Sequence, residues 1–171
     1  IREAARPVLI AGGGIHYSDA YAALEGFAEA VGVPVLETFA GKGAVTRDAW
    51  WQVGGVGLEG NFASNSLVKQ ADLVISVGTR LTDFATGSQS VFENDTVRFA
   101  SLNVVDADTR KQGAVGILAD ARLGLAALTA ALDGHSSGAS WRDTVTAAKA
   151  DWAPIRAAAL RERRSPWLVS R

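Results

Sequence analysis

Short apolar runs alternate along the chain with stretches in which apolar residues recur every three or four positions. Pro7-Val8-Leu9-Ile10-Ala11 is a β-rich run stopped by Gly12-Gly13-Gly14. Tyr17, Tyr21, Leu24, Phe27, Ala28 and Val31 then draw one apolar face of a helix from about Asp19 to Val31. Ser18 or Asp19 is the predicted N-cap, and Gly32 stands just past the end. Val33 to Glu37 reads as a second strand, followed by a glycine-rich stretch with a short strand predicted at Trp50 to Val53. Phe62 to Gln70 reads as a short helix. Leu73-Val74-Ile75-Ser76-Val77 is almost unbroken in its apolar character, the mark of a strand buried on both faces. Arg98 to Val104 and Val115 to Ala119 complete the strands, and Asp120 caps a helix carrying Leu125, Leu128 and Leu132. Strands alternating with helices predict an α/β fold on a parallel sheet of five or six strands.

A turn-rich break runs from Asp133 to Gly138. Beyond it Trp141, Val145, Ala148, Trp152, Ile155 and Ala159 mark an amphipathic helix, predicted to kink or restart at Pro154, with Arg161, Arg163 and Arg164 at its end. The expected division is a domain over 1–134 and, over 135–171, a linker and helix that packs either on this domain or on a neighbour.

Composition narrows the function classes. The 171 residues are 48% apolar and 20% charged, which suits one globular domain. The net charge of −1 points to neither nucleic acid nor an anionic membrane, and no apolar run approaches the ~20 residues of a membrane span. Absence of cysteine rules out disulfides and thiolate chemistry and fits a reducing compartment, with the cytoplasm as the expected location. Methionine is absent as well and the chain opens on Ile1, which predicts a segment of a longer protein.

The candidate chemistry lies in turns that follow strands. Gly12 to Gly14 is a partial dinucleotide fingerprint whose third glycine position holds Tyr17, with Glu37 near the place of a ribose-binding acid. Triple glycine after a strand is also plain turn chemistry, and the local reading favours that. Lys42, between Gly41 and Gly43, is either a ligand contact or a solvated loop lysine. Arg80, in Val77-Gly78-Thr79-Arg80-Leu81-Thr82-Asp83, either grips a phosphate or carboxylate or pairs with Asp83. Asp106 and Asp108 are helix caps or ribose acceptors, and Asp120 is an N-cap before it is a ligand. His16 and His135 are the only histidines, so neither a triad nor a zinc site is formed, and Ser76 and Ser88 lack a nucleophile elbow.

The ordered set Arg6-Pro-Val-Leu-Ile-Ala-Gly-Gly-Gly14, Thr38-Phe-Ala-Gly-Lys-Gly43, Gly54-Gly-Val-Gly57, Asn65, Ala71-Asp-Leu-Val-Ile-Ser-Val-Gly-Thr-Arg80, Asn103-Val104 and Ala119-Asp120-Ala121 resembles the central domain of thiamine-diphosphate-dependent enzymes, over about residues 4 to 134. Gly78 to Ser88, with Gly54 to Gly57 and Val97 to Phe99, looks most like the hydrolases of inositol catabolism that open trihydroxycyclohexanedione. The resemblance implies a Rossmann-like three-layer sandwich with a six-stranded parallel sheet in the order 3-2-1-4-5-6. It implies that thiamine diphosphate and Mg2+ are held by other domains, that the activating glutamate lies in another domain, and that this domain carries no catalytic residue and no metal. Neighbouring domains of the parent chain and a homo-oligomer are the implied partners. Some relatives bind FAD on this domain, and Gly13, Gly14, Arg80, Asp83, Asn103 and Asp120 match those positions. Here Phe84 follows Asp83 where a second acid is usual, and the expectation is an inherited but empty crevice, with FAD not expected. Lys42 is expected to position substrate rather than move protons. The competing expectations are an acetolactate synthase-like carboligase or decarboxylase domain, a stand-alone NAD- or FAD-binding domain, and a structural module.

In a sheet of that order the chain reverses direction between strands one and four. The turns at Gly12 to Gly14 and Thr79 to Asp83 should therefore face each other across one cleft. With no anion present, Arg80 is expected to be held by Asp83 or by a loop carbonyl.

Overall fold

The computed structural model of the chain describes residues 1–161. Six strands form one sheet: β1 (Pro7–Ala11), β2 (Val35–Glu37), β3 (Gln52–Gly55), β4 (Leu73–Val77), β5 (Arg98–Asn103) and β6 (Val115–Leu118). Every pairing is parallel and the order is β3-β2-β1-β4-β5-β6, as the resemblance implied. The helices are α1 (Gly14–Tyr17), α2 (Tyr21–Val31), α3 (Phe62–Gln70), α4 (Asp83–Thr86), α5 (Asp106–Thr109), α6 (Ala121–Ala131) and α7 (Ala139–Arg161).

Strand alternation builds two cores. Leu9, Ala11, Val35, Ile75, Val77 and Leu102 face α2 and α6, where Leu24, Phe27 and Leu125 are fully buried. Val8, Ile10, Leu36 and Val74 face the other way and pack with Leu67, Val68, Trp141 and Val145. Successive side chains of a strand point to opposite faces, so the unbroken apolar β1 and β4 feed both cores and are the two central strands. β6 at the sheet edge is mostly exposed.

Four local expectations are corrected. The helix expected from Asp19 starts at Tyr21, after Ala20 and without a side-chain cap, and the short α1 precedes it; Asp19, between them, has φ +48. The break lets the Ala20 amide reach the Ile15 carbonyl, which seats Ile15 in the core and leaves Tyr17 95% exposed. β2 begins at Val35 rather than Val33, although the Pro34 carbonyl still accepts from the Leu9 amide. The third strand lies two residues later than predicted, because Trp51 serves as a fully buried anchor, its indole bonded to Glu29, while Gly54 and Gly55 pair with β2. α7 runs through Pro154 as one element; Ala150, whose carbonyl loses its helical partner, is exposed and open to water. Its first turns pack on this domain, where Trp141 is 2% exposed and its indole donates to the Pro7 carbonyl at 2.9 Å. Arg163 and Arg164 lie outside the described residues.

Candidate functional site

The crossover from β1 into α1 and the turn after β4 meet at the carboxyl ends of the strands. The Gly12 amide donates to the Val77 carbonyl at 2.8 Å, and the Gly14 amide to the Gly78 carbonyl at 2.9 Å. A Cβ built on Gly14 would lie 2.6 Å from the Gly78 Cα. The glycines here are needed because two backbones touch. Gly13 alone of the three keeps ordinary clearance, its nearest neighbour being Ala40.

Around this contact opens a cleft of about 850 Å³. Gly13, Gly14, Arg80, Asn103, Asp108 and Asp120 all line it, so the fold gathers six of the candidate residues at one place. Lys42 and Asp83 are exposed and do not line it. The cleft walls are rich in exposed apolar side chains, with Tyr17, Phe39, Phe84 and Val104 each at least 66% exposed. Phe39 and Phe84 sit inside the motifs singled out by sequence, yet their role was not anticipated; only the meeting of distant loops makes them walls.

Most polar groups of the site are already engaged. Asp120 caps α6, accepting from the Arg122 and Leu123 amides. The Ser18 hydroxyl, with those two amides, holds its carboxyl below the usual carboxylate range. Asn103 donates to the Thr79 carbonyl at 3.1 Å and accepts from the Val105 amide. Glu37, proposed as a ribose acceptor, is 5% exposed, and one of its carboxylate oxygens accepts from the amides of Gly43 and Val45 at 3.0 Å each. It clamps the loop that carries Lys42. Asn65 grips Gly57 through both its amide and its carbonyl. His16 meets the Tyr21 hydroxyl at 3.0 Å.

Asp106 lies off the cleft and Asp108 lines it, and each is paired with a cation. Asp106 accepts from Nε and one Nη of Arg110, which pushes its carboxyl down and the guanidinium up, and Asp108 pairs with Lys111 at 3.0 Å. Lys111 is a residue the sequence left unremarked: its ammonium also donates to the Arg80 carbonyl at 3.0 Å.

The expected clasp on Arg80 is absent. Among the described residues its guanidinium has neither a hydrogen bond nor an ion pair, and it stands exposed. The turn is held by its carbonyls instead, so the exposed guanidinium stays solvated and needs no protein partner.

The arrangement offers an apolar cleft with one unengaged cation and helix caps for walls. No three His, Cys, Asp or Glu side chains among the described residues are grouped to hold a metal ion. No helix among them is long and apolar enough to cross a membrane.

Comparison with known proteins agrees with this geometry. The family model described as the thiamine pyrophosphate enzyme central domain matches residues 1–128. A protein of Bacillus cereus named 3D-(3,5/4)-trihydroxycyclohexane-1,2-dione hydrolase 2 is 40% identical over 152 residues, 89% of this chain and 24% of its own length. Proteins of Clostridium tetani and Halalkalibacterium halodurans, named 3D-(3,5/4)-trihydroxycyclohexane-1,2-dione hydrolase, are 38% and 42% identical over the same shares. The chain thus spans about a quarter of the length of the curated relatives it matches. With the family model matched over residues 1–128, the chain belongs to the central-domain family of thiamine pyrophosphate enzymes.

Proposed function

We propose that the chain is the non-catalytic central domain of a cytoplasmic, thiamine-diphosphate-dependent hydrolase that cleaves a C–C bond of trihydroxycyclohexane-1,2-dione in myo-inositol catabolism. The observation that carries this reading is the 38–42% identity, over 89% of the chain, to three proteins bearing that hydrolase name. The geometry supports the non-catalytic part. Glu37, Asp108 and Asp120 are spent on amides or a lysine, which leaves them unsuited to carry protons.

Thiamine diphosphate, bound elsewhere with Mg2+, supplies carbanion chemistry to the parent enzyme. This domain's part is to join the domains that bind it, with the segment from 135 onward leading to the next one, in an assembly of identical chains. The cleft is read as an anion-accepting crevice. Gly13, Gly14, Arg80, Asn103 and Asp120 would surround a nucleotide, with the apolar walls against its base. Hydrolysis moves no net electrons, so a nucleotide there, flavin included, serves structure rather than redox chemistry. Lys42 and Asp83 lie off the cleft and are free to meet a neighbouring domain or substrate.

The test is the full-length protein supplied with thiamine diphosphate and Mg2+. Consumption of the cyclic dione with one ring-opened acid formed per dione supports the reading. Formation of acetolactate from pyruvate without dione consumption overturns it in favour of a carboligase.

A further inference from the structure

Two consecutive carbonyls in the turn after β4 are claimed from the β5 side. Asn103 Nδ2 donates to the Thr79 carbonyl at 3.1 Å, and Lys111 Nζ donates to the Arg80 carbonyl at 3.0 Å. Lys111 is itself seated on Asp108 Oδ1 at 3.0 Å, and that acid's side chain is only 11% exposed. In a trans peptide the N–H points opposite to the carbonyl it follows, so the Arg80 amide is directed away from Asn103. That amide, like the guanidinium, has no acceptor among the described residues. The turn is held in an uncommon shape. Leu81 has φ +45 while 7% exposed, and its amide donates to Thr79 Oγ1. An L-residue keeps that conformation only where its surroundings impose it.

The pattern at Arg80 is one-sided: the carbonyls of Thr79 and Arg80 are tied back, while the amide and guanidinium of Arg80 have no acceptor among the described residues. Arg80, Thr79, Asn103 and Asp108 all line the cleft; Lys111 does not. We propose that Lys111, seated on Asp108, is a positioning residue that fixes the peptide following Arg80 and, with Asn103 holding the peptide before it, sets the Arg80 guanidinium toward a phosphate of a nucleotide bound in the cleft. This inference rests on the reading of the cleft as an anion-accepting crevice. A nucleotide is preferred to a free phosphate because Phe39, Phe84 and Val104 offer apolar surface that a free anion cannot use.

The experiment is calorimetric titration of the full-length protein with ADP and, separately, with inorganic pyrophosphate. Wild type should bind ADP more tightly than pyrophosphate. Arg80→Ala should weaken ADP at least about tenfold, the scale of one lost charge-assisted hydrogen bond. Lys111→Met should weaken it about tenfold through the turn, and Lys111→Arg, which keeps a donor to the same carbonyl, should recover most of that loss. Asp108→Asn should act in the same direction and serves as the second reading if Lys111→Met fails to fold. ADP binding lost in Arg80→Ala but unchanged in Lys111→Met, or in Asp108→Asn when Lys111→Met is unfolded, overturns the role of Lys111 and leaves the crevice. Pyrophosphate binding as tightly as ADP overturns the nucleotide. A wild type that takes neither overturns both the inference and the crevice reading beneath it.

Discussion

The amide of Gly14 donates to the carbonyl of Gly78 at 2.9 Å, so the first crossover and the turn after β4 share a backbone hydrogen bond. Gly78 holds φ +60, and a Cβ on either glycine would fall 2.6 Å from the other's Cα. Everything on the cleft floor depends on that contact, because it sets the separation of the loops on either side.

Gly14→Ala and Gly78→Ala should therefore each cost about 2–3 kcal/mol, through overpacking against backbone that cannot yield. Gly26→Ala is the contrast. Nothing lies within 4 Å of a Cβ there, and its place inside α2 should make the change stabilising by about 0.5–1 kcal/mol. Denaturant midpoints of the three variants check both signs; equal losses at all three positions would contradict the contact argument.

Trp141→Phe removes the indole donor to the Pro7 carbonyl inside the second core and should cost about 1–3 kcal/mol. Ile155→Ser, in the exposed outer half of α7, should stay within about 0.5 kcal/mol of wild type. Urea unfolding of the two variants locates where along α7 this domain's core ends.

For Glu37 the loop clamp and the ribose acceptor make opposite forecasts. Glu37→Ala strands two amide donors and should destabilise by about 2–4 kcal/mol, whereas Glu37→Gln retains an acceptor oxygen and should lose less. Thermal unfolding without any nucleotide is the measurement. A loss that shows only when nucleotide is present would restore the ribose role.

The carboxyl of Asp120 is depressed by the Ser18 hydroxyl and the cap amides. A folded carboxyl held below its unfolded range contributes stability above that range and loses it as pH falls through the folded value. The loss should come below about pH 4. Asp120→Asn keeps an acceptor for the cap but cannot titrate. Its melting temperature should fall less steeply with acid than that of wild type, which differential scanning calorimetry from pH 5 to pH 2.5 would show.

Much of the fold was legible because it is written in local periodicity. The continuous apolar character of Leu73–Val77 marked a strand covered on both sides, and it is buried throughout beside β1. Asp120 before a leucine-spaced run marked a helix start, and its carboxylate holds the two amides expected of a cap. The break at Asp19 was not legible. Tyr17 and Tyr21 continue the helical spacing, and only the packing of Ile15 shows why the chain turns there.

The amino-acid sequence by itself determined the alternation of strands and principal helices, which follows from which residues are apolar and at what interval, and it carried the family in the likeness of its ordered motifs. The tertiary structure decided what the polar residues do. Glu37 looked like a ligand acid and is a loop clamp; Arg80 looked paired and has no partner among the described residues; Lys111 carried no signal and holds the turn. The physical reason is that burial of a face is a property of a segment, whereas a hydrogen-bond partner is a property of two segments. Which loops meet is settled only when the parallel crossovers bring β4 and β5 side by side and set the turns at Arg80 and Lys111 within reach of each other.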